Sequence, residues 1–276
     1  MPIDQPEEET PGAEMTFLDH LEALRWHIVR SAIAVVAFGA LAFFFSDLIF
    51  DGILLAPKYV DFPTYRFFCW LSNVLFHDDS ICLNELDFEL ISTQMSGQFT
   101  THIMVAFATG LILAFPYLLW EIWRFIKPAL YSNEKKYANG MVFWGSFLFA
   151  LGISFGYFVI TPLSVYFFGN YQISEMVANQ ITVSSFISTV VTTTFGAGLV
   201  FEMPIVIYFL AKIGIVSAAF LKRTRKISYV IILIVAAIIT PPDVTSQVIV
   251  SIPLFILYEI SIFIARRVEK RKSAES

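Results

Sequence analysis

Glu202 stands in Leu199-Val200-Phe201-Glu202-Met203-Pro204, deep inside an apolar run. An ionised side chain at mid-bilayer costs ~3 kcal/mol or more, so a carboxylic acid there is either neutral or faces a polar cavity. Thr192, Thr193 and Thr194, with Gly196, Gly198 and Pro204, favour a loosened helix beside a concavity; the plainer reading is an inter-helix hydrogen bond. Glu134 lies in a basic segment with Lys127, Lys135 and Lys136. A carboxylate in that setting either stabilises a helix N-terminus or is held ready for a cationic ligand. Glu121 and Glu259 sit near the ends of two apolar runs. Glu121 is spaced to pair with Arg124, and Glu259 to reach toward Arg266. Finally, Ile239 to Gln247 reads Ile-Thr-Pro-Pro-Asp-Val-Thr-Ser-Gln between two apolar arms. Paired prolines lack N–H groups and fix φ, so a hairpin is expected here, with Asp243 as its only charge.

The sequence shows no nucleophile–base pairing, metal-ligand cluster or phosphate-binding glycine loop, and the four histidines are scattered. An enzyme is therefore not expected. Cys69 and Cys82 share one segment with His77. They are read as a disulfide ordering that segment or as two free thiols, since a metal site would need a further ligand pair.

These residues need a membrane to position them. The chain is 57% apolar and only 15% charged, against roughly 25% charged in ordinary soluble domains. Lipid cannot satisfy open backbone groups, so an all-α integral membrane protein is expected. Six spans are read, at about 28–48, 99–123, 138–160, 184–211, 227–240 and 247–265. The fifth is short for a hydrocarbon core ~30 Å thick. Of the 18 basic residues only Lys58 and Arg66 fall in the alternate loops. The positive-inside rule then places both termini in the cytoplasm. The outer loop 46–98 holds eight acidic residues against those two basic ones, and its Phe67–Leu71 and Phe88–Ile91 segments suggest partial burial. Residues 1–14 read as a disordered acidic terminus, 15–265 as one transmembrane domain and 266–276 as a basic cytoplasmic tail. Residues 15–25, with Thr16 as N-cap, read as a short amphipathic helix in the inner interface that turns into span one.

His20-Leu21, Leu24-Arg25, Ala56-Pro57, Phe125-Ile126-Lys127-Pro128-Ala129-Leu130-Tyr131 with Glu134, Phe201-Glu202-Met203-Pro204, and Thr240-Pro241-Pro242-Asp243 with Ser246-Gln247 together resemble the TatC family. Its members are the polytopic subunits of the twin-arginine protein translocase. The resemblance covers nearly all of Met15 to Arg267 and implies a glove-shaped six-helix bundle in the bacterial inner membrane. It implies that Glu134, with Phe125, Leu130 and the Arg25 region, recognises the arginine pair of signal peptides on folded precursors. It places Glu202 on the concave face, and Thr240, Asp243 and Gln247 against single-span TatA/TatB-type subunits. The implied partners are these subunits, the signal peptides, membrane lipid and further copies of the chain, with no nucleic acid and no cofactor. Transport in the family runs on the proton-motive force.

The family's amino-terminal pattern usually has Glu two residues before the Arg, where this chain has Ala23. The nearest acid, Glu22, is rotated by ~100° on a helix. Either Glu22 replaces it through a local twist, or the site relies on Glu134 and Glu121. The 46–98 loop is also longer than the family commonly shows. Two rival classes are a secondary transporter using Glu202 as a proton site and an intramembrane hydrolase. The first calls for internal repeats and the second for a catalytic pair, and neither is seen.

Overall fold

The computed structural model describes residues 17–75, 82, 88–126, 138–174, 179–240 and 244–275. The first helix, α1 (Phe17–Phe44), runs without a break. The expected turn between an interfacial helix and span one is absent, because nothing in Phe17 to Phe44 interrupts helix: there is no proline, and Gly39 sits at a contact where it is needed. A short α2 (Ser46–Ile49), a π-helical turn and a 3-10 turn over Ala56–Lys58 lead to α3 (Pro63–Leu75). A short strand β1 (Glu89–Ile91) precedes α4 (Gly97–Ile126). The chain continues through α5 (Ala138–Phe155), a π-helical turn and α6 (Thr161–Asn170) to strand β2 (Gln180–Thr182). Then come α7 (Val183–Phe201), α8 (Met203–Lys212), the single-turn α9 (Ala218–Arg223), α10 (Arg225–Ile239) and α11 (Val244–Glu275).

Among the described residues, five helical segments are apolar and long enough to cross a membrane: Leu21–Phe44, Gly97–Ile126, Gly140–Asn170, Val183–Lys212 and Ser246–Lys270. The third runs about ten residues past the expected end at 160. Pro162 falls in the first turn of α6, where its missing N–H costs little, and the π-helical turn over Gly156–Ile160 carries the axis into it. The fifth expected span, α10, has 15 residues, or ~22 Å of helix. It is set off from α9 at Thr224, so it does not extend through Leu221. α11 does not stop at 265 but carries the basic tail on as helix.

Small residues let the helices approach closely, as lipid-embedded packing requires. α1 lies along α4, and a Cβ at Gly110 would sit 2.6 Å from the backbone N of Gly39. α5 meets α7 in the same way, a Cβ at Gly152 falling 2.8 Å from the Ala197 carbonyl oxygen. The apolar core divides in three. One part lies under α1, α4, α6 and α7 around Val105 and Ile187, and one between α4 and α5 around Phe115 and Phe149, whose rings stack at 3.5 Å. The third joins α7 to α11 around Leu254 and Ala236. Hydroxyls tie the same helices: Thr161 Oγ1 lies 2.9 Å from Thr193 Oγ1, and Ser164 donates to Ser246 over 3.4 Å.

The 46–98 segment is mostly structured. Cys69 and Cys82 form a disulfide. β1 pairs with β2 in parallel, Leu90 opposite Ile181, which joins this segment to the start of α7. Tyr65 is fully buried, and its hydroxyl reaches the carbonyl oxygens of Pro57 (2.9 Å) and Pro162 (3.0 Å). Burial raises its pKa, so it remains a protonated donor at neutral pH. The expected partial burial of the Phe67–Leu71 and Phe88–Ile91 segments holds for some of their residues: Phe68, Cys69 and Leu71 are half-buried and Phe88 is in the core with Phe62 and Tyr65, while Phe67 and Trp70 are exposed.

Candidate functional site

The first polar site is at the joined ends of α1 and α4. Because those helices run side by side, residues near 22–30 meet residues near 117–125. Glu121 is only 1% exposed. Its Oε2 pairs with His27 Nδ1, its Oε1 accepts from the Tyr117 hydroxyl at 2.8 Å, and Arg30 Nη1 approaches to 4.0 Å. The expected Glu121–Arg124 pairing is thus replaced, for a physical reason: the α4 face bearing Glu121 turns inward against α1. The Arg124 guanidinium instead lies over the Trp120 ring, 5.3 Å from its centroid. The His27 ring also meets Phe125 edge-on, with centroids 5.8 Å apart. Glu22 and Arg25 are exposed on α1 shortly before His27, whereas Ala23 is half-buried. Leu130 and Glu134 lie outside the described residues.

Sequence reasoning missed His27 as the partner of Glu121. Tyr117 and Glu121 are four residues apart on one helix and were legible as a pair. Nothing local signals a contact between His27 and a residue ninety-four positions away.

The second polar site is Glu202, the single residue between α7 and α8. Pro204 sits in the first turn of α8 and loosens the helix there. Glu202 is 7% exposed, and its Oε1 has no hydrogen-bond partner among the described residues. Gly145 of α5 makes the room: a Cβ there would lie 3.2 Å from Glu202 Oε2 and 2.8 Å from Leu119 Cδ1. The carboxyl is therefore enclosed between α4, α5 and α7.

The third site lies at the far ends of α10 and α11. The Thr240 side chain is buried, donating to Ala236 O at 2.8 Å, and Gln247 donates from Nε2 to Leu233 O at 3.3 Å. Asp243, with Pro241 and Pro242, lies outside the described residues. Thr240 edges a cavity of about 620 Å³ whose wall is rich in hydroxyls, among them Ser164, Ser188, Thr189, Thr192 and Thr193. On α10, Ile227, Val230, Ile231, Ile234 and Ile238 form an uncovered apolar face. Glu259, expected to reach toward Arg266, instead accepts from Arg225 Nη2 (2.7 Å) and Tyr229 Oη (2.6 Å), pinning α11 to α10. The chain's return through α10 brings those donors closer than the next turn of its own helix.

Comparison with known proteins agrees with this arrangement. The family model for TatC, Sec-independent protein translocase protein, matches residues 19–253. The chain is 40% identical over 261 residues to the Sec-independent protein translocase protein TatC of Blattabacterium sp. subsp. Periplaneta americana, covering 94% of this chain and 98% of that one. It is 34% identical over 259 residues to the TatC of Aquifex aeolicus, covering 94% and 98%. Among solved structures, the crystal structure of the twin arginine translocase receptor TatC in DDM matches with a TM-score of 0.70. That match has 33% identity and covers 90% of this chain and 99% of that one. This chain therefore belongs to the TatC family: it is a multi-pass membrane component of the Sec-independent protein translocase, and a transport protein rather than an enzyme.

Proposed function

We propose that this protein is the receptor and core subunit of a twin-arginine translocase, and that the joined ends of α1 and α4 bind the Arg-Arg pair of signal peptides. The observation that carries this reading is the Glu121–His27–Tyr117 cluster, which ties α1 to α4 next to Phe125, at the same end of α1 that exposes Glu22 and Arg25. A guanidinium is a planar five-donor fork that suits a carboxylate. In this reading Glu134 and Glu22 supply the acceptors. Glu121, enclosed and already engaged, positions Phe125 and α1 instead of touching the peptide. Glu202 is the polar group that transport uses within the bilayer. Single-span partner subunits dock along the uncovered apolar face of α10 near Thr240, Asp243 and Gln247. The short α10 makes that region thin relative to the bilayer, which favours association with another helix. Both termini are cytoplasmic, the membrane is the bacterial inner membrane, α10 completes six spans, and the proton-motive force drives transport.

The test is Glu134→Gln. Titration of the protein in nanodiscs with an Arg-Arg signal peptide is expected to show binding weakened by about 1.5–3 kcal/mol, the range for a hydrogen bond to a charged group. Unchanged affinity removes Glu134 from the site.

A further inference from the structure

α3 belongs to a segment that reads from sequence as an outer loop, yet its start is bonded to the π-helical turn and α6, inside the third membrane-crossing segment. The transmembrane segment Gly140–Asn170 is 31 residues long, ~46 Å of helix, enough for the whole bilayer with its headgroups. The start of α3 is fixed about 8 to 12 residues inside the outer end of that segment. Tyr65 Oη reaches Pro162 O at 3.0 Å, Thr64 Oγ1 bonds to Phe158 O, and the Phe62 and Phe158 rings stack at 5.9 Å. That is roughly 12–18 Å below the end of the span. Trp70 follows Tyr65 by only five residues, so it rises at most ~8 Å along the helix axis and stays ~4 Å or more inside the end of the span, near the boundary of headgroups and acyl chains.

The faces of α3 are sorted accordingly. At ~100° per residue, Tyr65 and Ser72 share the side turned to the bundle, and both are buried. Phe67, Trp70 and Val74 share the opposite side and are 55%, 59% and 51% exposed. Phe67 and Trp70 lie side by side, their centroids 6.0 Å apart. One edge between these faces carries Arg66, Asn73 and the disulfide-bonded Cys69. α3 holds no acidic residue, although residues 46–98 as a whole are strongly acidic. A helix with an apolar outward face, a Trp at its centre and one cation on the polar edge matches the chemistry of a lipid interface.

We propose that α3 is an interfacial helix inserted in the lipid leaflet next to the 46–98 segment, with Phe67, Trp70 and Val74 against acyl chains and Arg66 at the phosphates. The Cys69–Cys82 bond anchors the rest of that segment to this helix. The occupant of the stripe is lipid: the bonds to Pro162 and Phe158 hold the start of α3 inside the span, and a Phe and a Trp beside one cation suit the headgroup–acyl boundary.

The test uses the full chain in nanodiscs of phosphatidylcholine brominated on the acyl chain near the ester. The protein has five tryptophans, so the Trp70 signal is taken as the difference between the parent and Trp70→Phe. That component is expected to be blue-shifted, to lose most of its intensity in brominated lipid and to be untouched by aqueous iodide. Phe67→Trp in the parent protein should add a second bromine-sensitive, iodide-insensitive component one turn earlier, read as the difference from the parent, which keeps the test intact if Trp70→Phe proves poorly folded. A component insensitive to bromine overturns the proposal: quenching by iodide would mean the face meets water, and protection from both quenchers would mean that another protein chain covers it.

Discussion

At the scale of single residues, the carboxyl groups of this chain fall into distinct physical situations. Glu259 is half exposed and shares Arg225 and Tyr229; Glu121 is enclosed and saturated by His27 and Tyr117; Glu202 is enclosed with one oxygen unpartnered among the described residues. Removing a charged acceptor from a buried cluster leaves its donors unsatisfied. Glu121→Ala is therefore expected to lower stability by about 1.5–3 kcal/mol, read by denaturant unfolding in mild detergent. The same variant, at protein concentrations where it stays folded, should keep its preference for Arg-Arg over Lys-Lys peptide, because Glu121 holds the site without contacting the ligand. Loss of that preference with unaltered stability would instead make Glu121 an acceptor for the peptide. Glu202 makes the opposite forecast. Glu202→Ala removes a poorly satisfied group, so signal-peptide binding should persist while export of a folded precursor by reconstituted translocase falls; normal export would deny Glu202 a role in transport. Both carboxylates were visible in the sequence as acids inside apolar runs. Their surroundings were not, since His27, Gly145 and Leu119 reach them only through tertiary packing.

At the scale of elements, the helices were legible where apolar length alone decides them, and their ends were not. The third span reads from sequence as ending at 160, but Pro162 falls in the first turn of a helix, where it disrupts little, so the span runs on to Asn170. α1 looked like two pieces because its first turns are polar, yet no residue in it breaks helix. The parallel pairing of β1 with β2 joins segments ninety residues apart and is three residues long on each side, too short to leave a period-2 pattern. Tyr65 links the same distant segments. Its single hydroxyl serves two proline carbonyls, one in the turn after α2 and one in α6. Tyr65→Phe keeps the ring but leaves both carbonyls buried without a donor, which should cost about 1–3 kcal/mol. Unfolding followed in nanodiscs or detergent checks this, and an unchanged midpoint would mean that water or a shifted backbone replaces the hydroxyl.

At the scale of the whole molecule, three polar regions are spread along one bundle. At the α1–α4 end His27 meets Glu121 and Phe125, the middle encloses Glu202, and the far end of α10 and α11 offers an uncovered apolar face beside a hydroxyl-lined cavity. Small residues at Gly39, Gly110 and Gly152 set these distances by letting backbones touch. The family itself was readable from the Phe125–Glu134 and Thr240–Gln247 stretches. The particular clamp of His27 on Glu121 was not, because it depends on how α1 lies against α4. If Glu134 and Glu22 read a guanidinium at this end of the bundle, discrimination between arginine and lysine is the most direct consequence, since lysine carries the same charge without the planar fork. Equilibrium binding of an Arg-Arg signal peptide and its Lys-Lys twin to the protein in nanodiscs measures this. The account predicts that the Arg-Arg peptide binds more tightly by about 1.5–3 kcal/mol, and equal affinity for the two peptides, with or without partner subunits added, would contradict it.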